Sequence, residues 1–171
     1  MIKRWWPLMI VIDCILAVLI ILYVMHGTGG RPLTQEEVAI AEPAFQESVD
    51  LEKVRIIDGG PLMRIFPGLT IGNHITFPAG KYDFEEERYR ALLIHELVHV
   101  WQYQKFGPGY AFSSVWENLT EDHTYQVNFV EGQALRDYDI EEQAEIITEW
   151  YLSGGQTYAE LVEQLKINDV E

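Results

Sequence analysis

The chain has 171 residues, 27 acidic side chains against 12 basic ones and a net charge of -15, which argues for a solvated acidic surface. That balance argues against nucleic acid and anionic membrane surfaces as partners. A single cysteine, Cys14, rules out an intrachain disulfide and a cysteine-built zinc site.

Lys3 and Arg4 precede an apolar run from Trp5 to Met25, broken only by Pro7 and Asp13. As a helix, Pro7 to Met25 would span roughly 28 Å, close to the hydrocarbon thickness of a bilayer. Residues 1–26 are therefore expected to be an uncleaved transmembrane anchor, seated in the membrane through residues 5–25. The run is longer than a signal-peptide core and no A-x-A site follows it, although a cleaved signal is the alternative. The positive-inside tendency then puts the N-terminus in the cytoplasm and the rest of the chain on the periplasmic or extracellular side. Asp13 within the span either pairs with a partner helix or sits protonated.

Residues 27–50 read as a juxtamembrane linker and short helix. Gly27 to Pro32 is a flexible exit, and Thr34-Gln35-Glu36-Glu37 has capping-box form, opening a helix that Pro43 should end or bend. A single domain is expected over residues 51–171. Val54 to Asp58 reads as a strand stopped by Gly59-Gly60-Pro61. Leu69–Ile71 and His74–Phe77 flank Gly72-Asn73 as a hairpin. Phe84 to Lys105 predicts a long helix with Glu85, Glu86 and Glu87 in its first turn. Tyr110 to Asn118 reads as a short amphipathic segment and Leu119 to Val127 as a connection. Ile140 to Leu152 and Thr157 to Ile167 predict two further helices. Strands come first and helices follow, so the class is α+β with a small antiparallel sheet.

The long helix carries His95-Glu96-Leu97-Val98-His99, an HExxH motif in an otherwise apolar stretch. Residues four apart share a helix face, so both imidazoles can aim at one cation, with Glu96 beside the open position. Two histidines and a carboxylate buried without partners would cost a few kcal/mol per group, about what a bound cation removes. The expected cofactor is Zn2+. The extended form with a third histidine six residues after His99 is absent, because Lys105 stands there and Gln102 stands where a glycine is expected, so this is not the metzincin pattern. The third ligand is expected to be a glutamate on a crossing helix.

Glu141 is preferred, followed by Glu145 and then Glu131. Glu141-Glu142-Gln143-Ala144 places a small residue three positions after the carboxylate, which lets two helices approach closely. Glu145, one turn on, would be an alternative ligand or support the first; Glu142 points elsewhere. The spacing is similar to the ExxA pattern of several glutamate-ligand zinc peptidases.

HELVHVWQYQ with a downstream EEQA helix resembles the small gluzincin metallopeptidases. In particular it is similar to peptidase-like domains reading HELxHVxQ in bacterial proteins linked to contractile injection systems. The resemblance spans about Val54 to Leu152, and HExxH is its specific part. It implies a compact zincin-like fold with His95, His99 and a glutamate as metal ligands and Glu96 as the catalytic general base. The expected function is hydrolysis of a peptide or protein substrate, docked along the strand His74 to Phe77. Candidate oxyanion donors are Tyr103, His123, Tyr125 and Tyr138, while Gln102 and Trp101 read as wall or supporting groups. The competing reading is a catalytically silent, metal-stabilised, membrane-tethered binding or assembly module.

Overall fold

The computed structural model describes residues 15, 29–59, 63, 67–108 and 127–166. The expected membrane span, with Asp13 and Cys14, lies outside the described residues, as do Tyr110 to Asn118 and most of the connection after it. Among the described residues no helix is long and apolar enough to cross a membrane. Those residues form an α+β body: a mixed three-stranded sheet and four α-helices.

Helix α1 (Gln35–Phe45) opens on the expected capping box, with Thr34 Oγ1 accepting from the Glu37 amide at 3.2 Å and Glu37 Oε2 accepting from the Thr34 amide at 2.7 Å. Pro43 does not end it. Proline in the last turn removes one backbone bond, but Ala44 and Phe45 just beyond it are fully buried, and that burial outweighs the loss. Helix α1 therefore packs into the same core as the rest of the body, rather than standing apart in a linker. Arg31, before it, pairs through its backbone with Ile56 and holds the buried Glu37 through two 2.7 Å hydrogen bonds.

Strands β1 (Arg55–Asp58), β2 (Leu69–Ile71) and β3 (His74–Phe77) lie in the order β1-β3-β2. The hairpin is as expected: β2 and β3 are antiparallel, with Thr70 opposite Ile75, and Gly72 turns the chain at a φ of 64°. The sheet as a whole is not antiparallel, because β1 runs parallel to β3 with Ile56 opposite Ile75. Strand β2 lies on the far side of β3 from β1, and β3 fills the gap between them. Strand β3 is thus central, hydrogen-bonded on both sides, and is not an edge; among the described residues β2 is an edge of the sheet.

Helix α2 (Glu87–Phe106) starts three residues later than expected. Asp83 Oδ1 accepts from the Glu85 amide at 3.1 Å, and the Arg90 guanidinium donates to the carbonyls of Phe84 and Glu85 at 2.9 and 2.6 Å. These bonds hold residues 83–86 as a turn, so only Glu87 lies in the first helical turn. Helix α3 (Ile140–Leu152) has its expected bounds, capped by Asp139, whose carboxylate accepts from the Glu142 amide at 2.7 Å. Helix α4 (Ala159–Lys166) is shorter than expected at its start, since Tyr158 adopts a φ of 57° that helical geometry forbids. The central contact is α2 against α3. Leu93, Ile94, Leu97, Val98 and Val100 of α2 are fully buried, as are Ala144, Ile146 and Ile147 of α3. Phe77 and Ile75 cover α2 from the sheet side, and Phe45, Val162 and Leu165 complete the core.

Candidate metal centre

Helix α2 is held in apolar surroundings on most sides, so its polar face has one place to go: toward α3 and β2. His95 and His99 lie one turn apart there, rings edge to face with centroids 5.1 Å apart. Opposite them, Glu141 is the second residue of α3. The zero exposure of Ala144 shows how closely that helix approaches. Glu141 Oε2 lies 3.4 Å from His95 Nε2 and 3.6 Å from His99 Nε2. Among the described residues these three form the one group whose ligand atoms could hold a metal ion, all within 4.8 Å of one another.

The spacing can be tested against the ion. Tetrahedral zinc with bonds of about 2.1 Å sets its ligand atoms roughly 3.4 Å apart, and the carboxylate lies at that separation from both imidazoles. The donor set, two neutral nitrogens and one carboxylate, is also the set zinc takes in hydrolases. The residues fit the ion.

The other candidates sort by position. Glu145 Oε2 lies 3.9 Å from His95 Nδ1, the ring nitrogen turned away from Glu141. It therefore faces the back of a proposed ligand. Glu142 closes the capping box at the start of α3, and Glu131 sits exposed in a turn outside the metal-ligating group. Tyr138 is no oxyanion donor: its hydroxyl donates to the Val130 carbonyl at 3.3 Å and accepts from the Val130 amide at 3.1 Å, pinning a loop. Tyr103 packs over Gly72 at the hairpin turn, while His123 and Tyr125 lie outside the described residues. Trp101 is a core residue on the far side of α2.

Glu96 is 5% exposed and is positioned from a direction the sequence did not suggest. Thr70 of β2 donates its hydroxyl to Glu96 Oε2 at 2.6 Å. Beside it, a Cβ added at Gly68 would overlap Glu96 Oε1 and sit 2.8 Å from the carboxyl carbon. The strand thus fixes the carboxylate with one hydrogen bond and one close backbone approach. Nothing local to HELVH marks Thr70, which is 26 positions away. If Glu96 serves as the base of a zinc-dependent peptide hydrolysis, Thr70→Val should cost about tenfold in turnover, the worth of one hydrogen bond to a charged group, while zinc content stays at the wild-type level. Gly68→Ala should cost more, because it displaces the carboxylate. Equal turnover for wild type and both variants would show that β2 does not position Glu96.

The electrostatics follow from the same packing. Burial acts to push His99 down, but the Glu141 carboxylate beside it prevails and raises it from 6.5 to about 9. Burial likewise acts to raise Glu141, yet hydrogen bonds from His95 and His99 carry it far below the usual carboxylate range. Burial raises Glu145. In the zinc-free chain the raised His99 stabilises fully below pH 6.5, and that contribution is lost as pH climbs through about 9. The depressed Glu141 stabilises above its ordinary value of 4.5, and that part is lost as the pH falls. Thermal midpoints in chelator should therefore decline from pH 6.5 to 9. With zinc present they should instead rise between about pH 5 and 8, because the metal displaces the proton from His99. Parallel curves with and without zinc would argue against a metal at this site.

Residues 32–107 match the family model of the eCIS core domain, a stretch that contains α1, the sheet and the whole HExxH helix. The chain is 27% identical over 140 residues to the type VI secretion system spike protein VgrG2b of Pseudomonas aeruginosa. That alignment takes in 75% of this chain and spans only 13% of the spike protein. The solved effector domain of VgrG2b superposes with a TM-score of 0.61 at 26% identity, covering 80% of this chain and 82% of that domain. The chain is similar in sequence and fold to the VgrG2b effector domain. The likeness is to this domain rather than to the spike as a whole, since one coverage is 82% and the other 13%.

Proposed function

We propose that this chain is a zinc-dependent metallopeptidase domain of the effector kind, acting on a peptide or protein substrate. The observation that carries the reading is the convergence of His95, His99 and Glu141 beside a buried, oriented Glu96. Zinc held by the first three would acidify the attacking water and polarise the scissile carbonyl. Glu96, held by Thr70, accepts the proton released as the water oxygen adds to the carbonyl carbon. It then delivers that proton to the amine nitrogen as the carbon–nitrogen bond breaks. Among the described residues strand β2 is the sheet edge next to Glu96, so an extended substrate would pair along Leu69–Ile71.

The relationship to a secretion-system spike effector supports a setting among proteins of such a system, with the domain working outside the producing cytoplasm. The apolar run over residues 5–25 would tether it to the membrane, with the N-terminus cytoplasmic and the domain on the periplasmic or extracellular face. The net charge of -15 argues against nucleic acid as a partner.

The test is zinc per chain in the purified full-length protein, followed by cleavage of a broad protein set. One zinc per chain and cleavage that disappears on chelation are expected. A chain that holds no zinc under non-chelating conditions overturns the metal reading. A chain that holds zinc but cuts nothing favours a metal-stabilised binding module.

A further inference from the structure

Behind His99 lies a buried chain of side-chain amides. Gln102 is 3% exposed and Gln143 is 1% exposed, one on each of the two helices that form the candidate site. The Gln143 amide nitrogen donates to the Tyr138 carbonyl at 2.8 Å. A carbonyl oxygen can only accept, so the orientation of Gln143 is set and its Oε1 is left to accept from Gln102 Nε2 at 3.1 Å. Gln102 Nε2 also donates to the Ile140 carbonyl at 3.0 Å, which fixes Gln102 a second time. Its Oε1 must then face the ring of His99, 2.8 Å from Nδ1. An amide oxygen has no proton to give, so Nδ1 carries a hydrogen; Nε2 faces the Glu141 carboxylate, also an acceptor, but at 3.6 Å against 2.8 Å at Nδ1, so when the ring becomes neutral the shorter contact keeps the hydrogen on Nδ1 and Nε2 carries the lone pair.

We infer that Gln102, backed by Gln143, is a positioning residue that sets the tautomer of His99 and ties it to the helix supplying Glu141. Two backbone carbonyls at the start of α3, those of Tyr138 and Ile140, dictate which nitrogen of an imidazole on α2 is available. Ile140 directly precedes Glu141, so one side chain registers both a proposed histidine ligand and a proposed carboxylate ligand before any ion arrives. The arrangement does chemical work beyond packing: a pair of apolar residues of equal volume would hold the helices together but leave the ring free to choose. The link to metal affinity rests on the zinc reading above, while the tautomer itself does not.

The experiment uses the full-length chain labelled with 15N-histidine. In zinc-free wild type, at a pH high enough to leave the ring neutral, the His99 spectrum should show hydrogen on Nδ1 and a bare Nε2. A ring protonated on Nε2 overturns the inference without any variant being needed. In Gln102→Met the spectrum should show mixed tautomers, and zinc affinity by chelator competition should fall about 10–100-fold, the usual cost of losing an outer hydrogen-bond partner. Gln102→Glu, which still accepts from Nδ1, should restore the single tautomer and part of the affinity. Both variants matching wild type in tautomer and affinity would also overturn it. If wild type binds no zinc, the metal reading fails, and the zinc-free spectra alone decide the role of Gln102.

Discussion

Glu96→Gln is expected to abolish measurable peptide hydrolysis, lowering turnover by about 10²–10⁴-fold, while zinc content and folding stay near wild type. The residue is placed as a base rather than a ligand: it is absent from the group of atoms that could share an ion. Glutamine keeps the volume and still accepts from Thr70 through its oxygen, so the loss would report the missing proton acceptor rather than a collapsed site. Steady-state kinetics on any cleaved substrate, with metal analysis of the same sample, checks both halves. If the glutamine variant turned over at the wild-type rate, Glu96 would have no catalytic part, however intact the metal centre.

Glu141→Gln should have the second large effect, on metal retention. Its Oε2 is the atom that both histidines face, and an amide is a poor substitute for an anionic ligand. Zinc affinity should fall by more than the roughly 10–100-fold that losing an outer partner costs. Glu145→Gln should stay within that lesser range, since Glu145 lies behind His95 Nδ1. Glu142→Ala should leave affinity near wild type yet cost about 1 kcal/mol of stability, because it removes half of the α3 capping box. Chelator competition and thermal melts on the three proteins separate a ligand, a partner and a cap. A larger affinity loss at Glu145 than at Glu141 would reverse the assignment.

Helix periodicity and capping made much of this chain legible. The Thr34 box starts α1, Asp139 and Glu142 start α3, and Gly72-Asn73 turns the β2–β3 hairpin. Each is a short-range effect written in neighbouring residues. The start of α2 was misplaced because Arg90 reaches back to the Phe84 and Glu85 carbonyls and holds a turn where propensity favours helix. The sequence suggests an antiparallel sheet, whereas β1 pairs parallel to β3, because that pairing depends on where a connection lands, which no local pattern encodes. For the same reason the hairpin alone makes β3 an edge, whereas β1 lies on its other side.

The sequence alone determined the pairing of His95 with His99 and the presence of Glu96 beside them, since a helix puts residues four apart on one face. It also narrowed the third partner to a few glutamates, ranked by the small residue at Ala144. Tertiary structure decided the rest: that Glu141 rather than Glu145 or Glu131 faces both Nε2 atoms, that β2 orients Glu96, and that Gln102 and Gln143 stand behind His99. The contacts between elements run from 26 positions apart, Thr70 to Glu96, to 46 apart, His95 to Glu141 (141−95). They are set by how closely α3 packs on α2 and by which strand lies at the sheet edge, which hydrophobic burial fixes for the whole body at once.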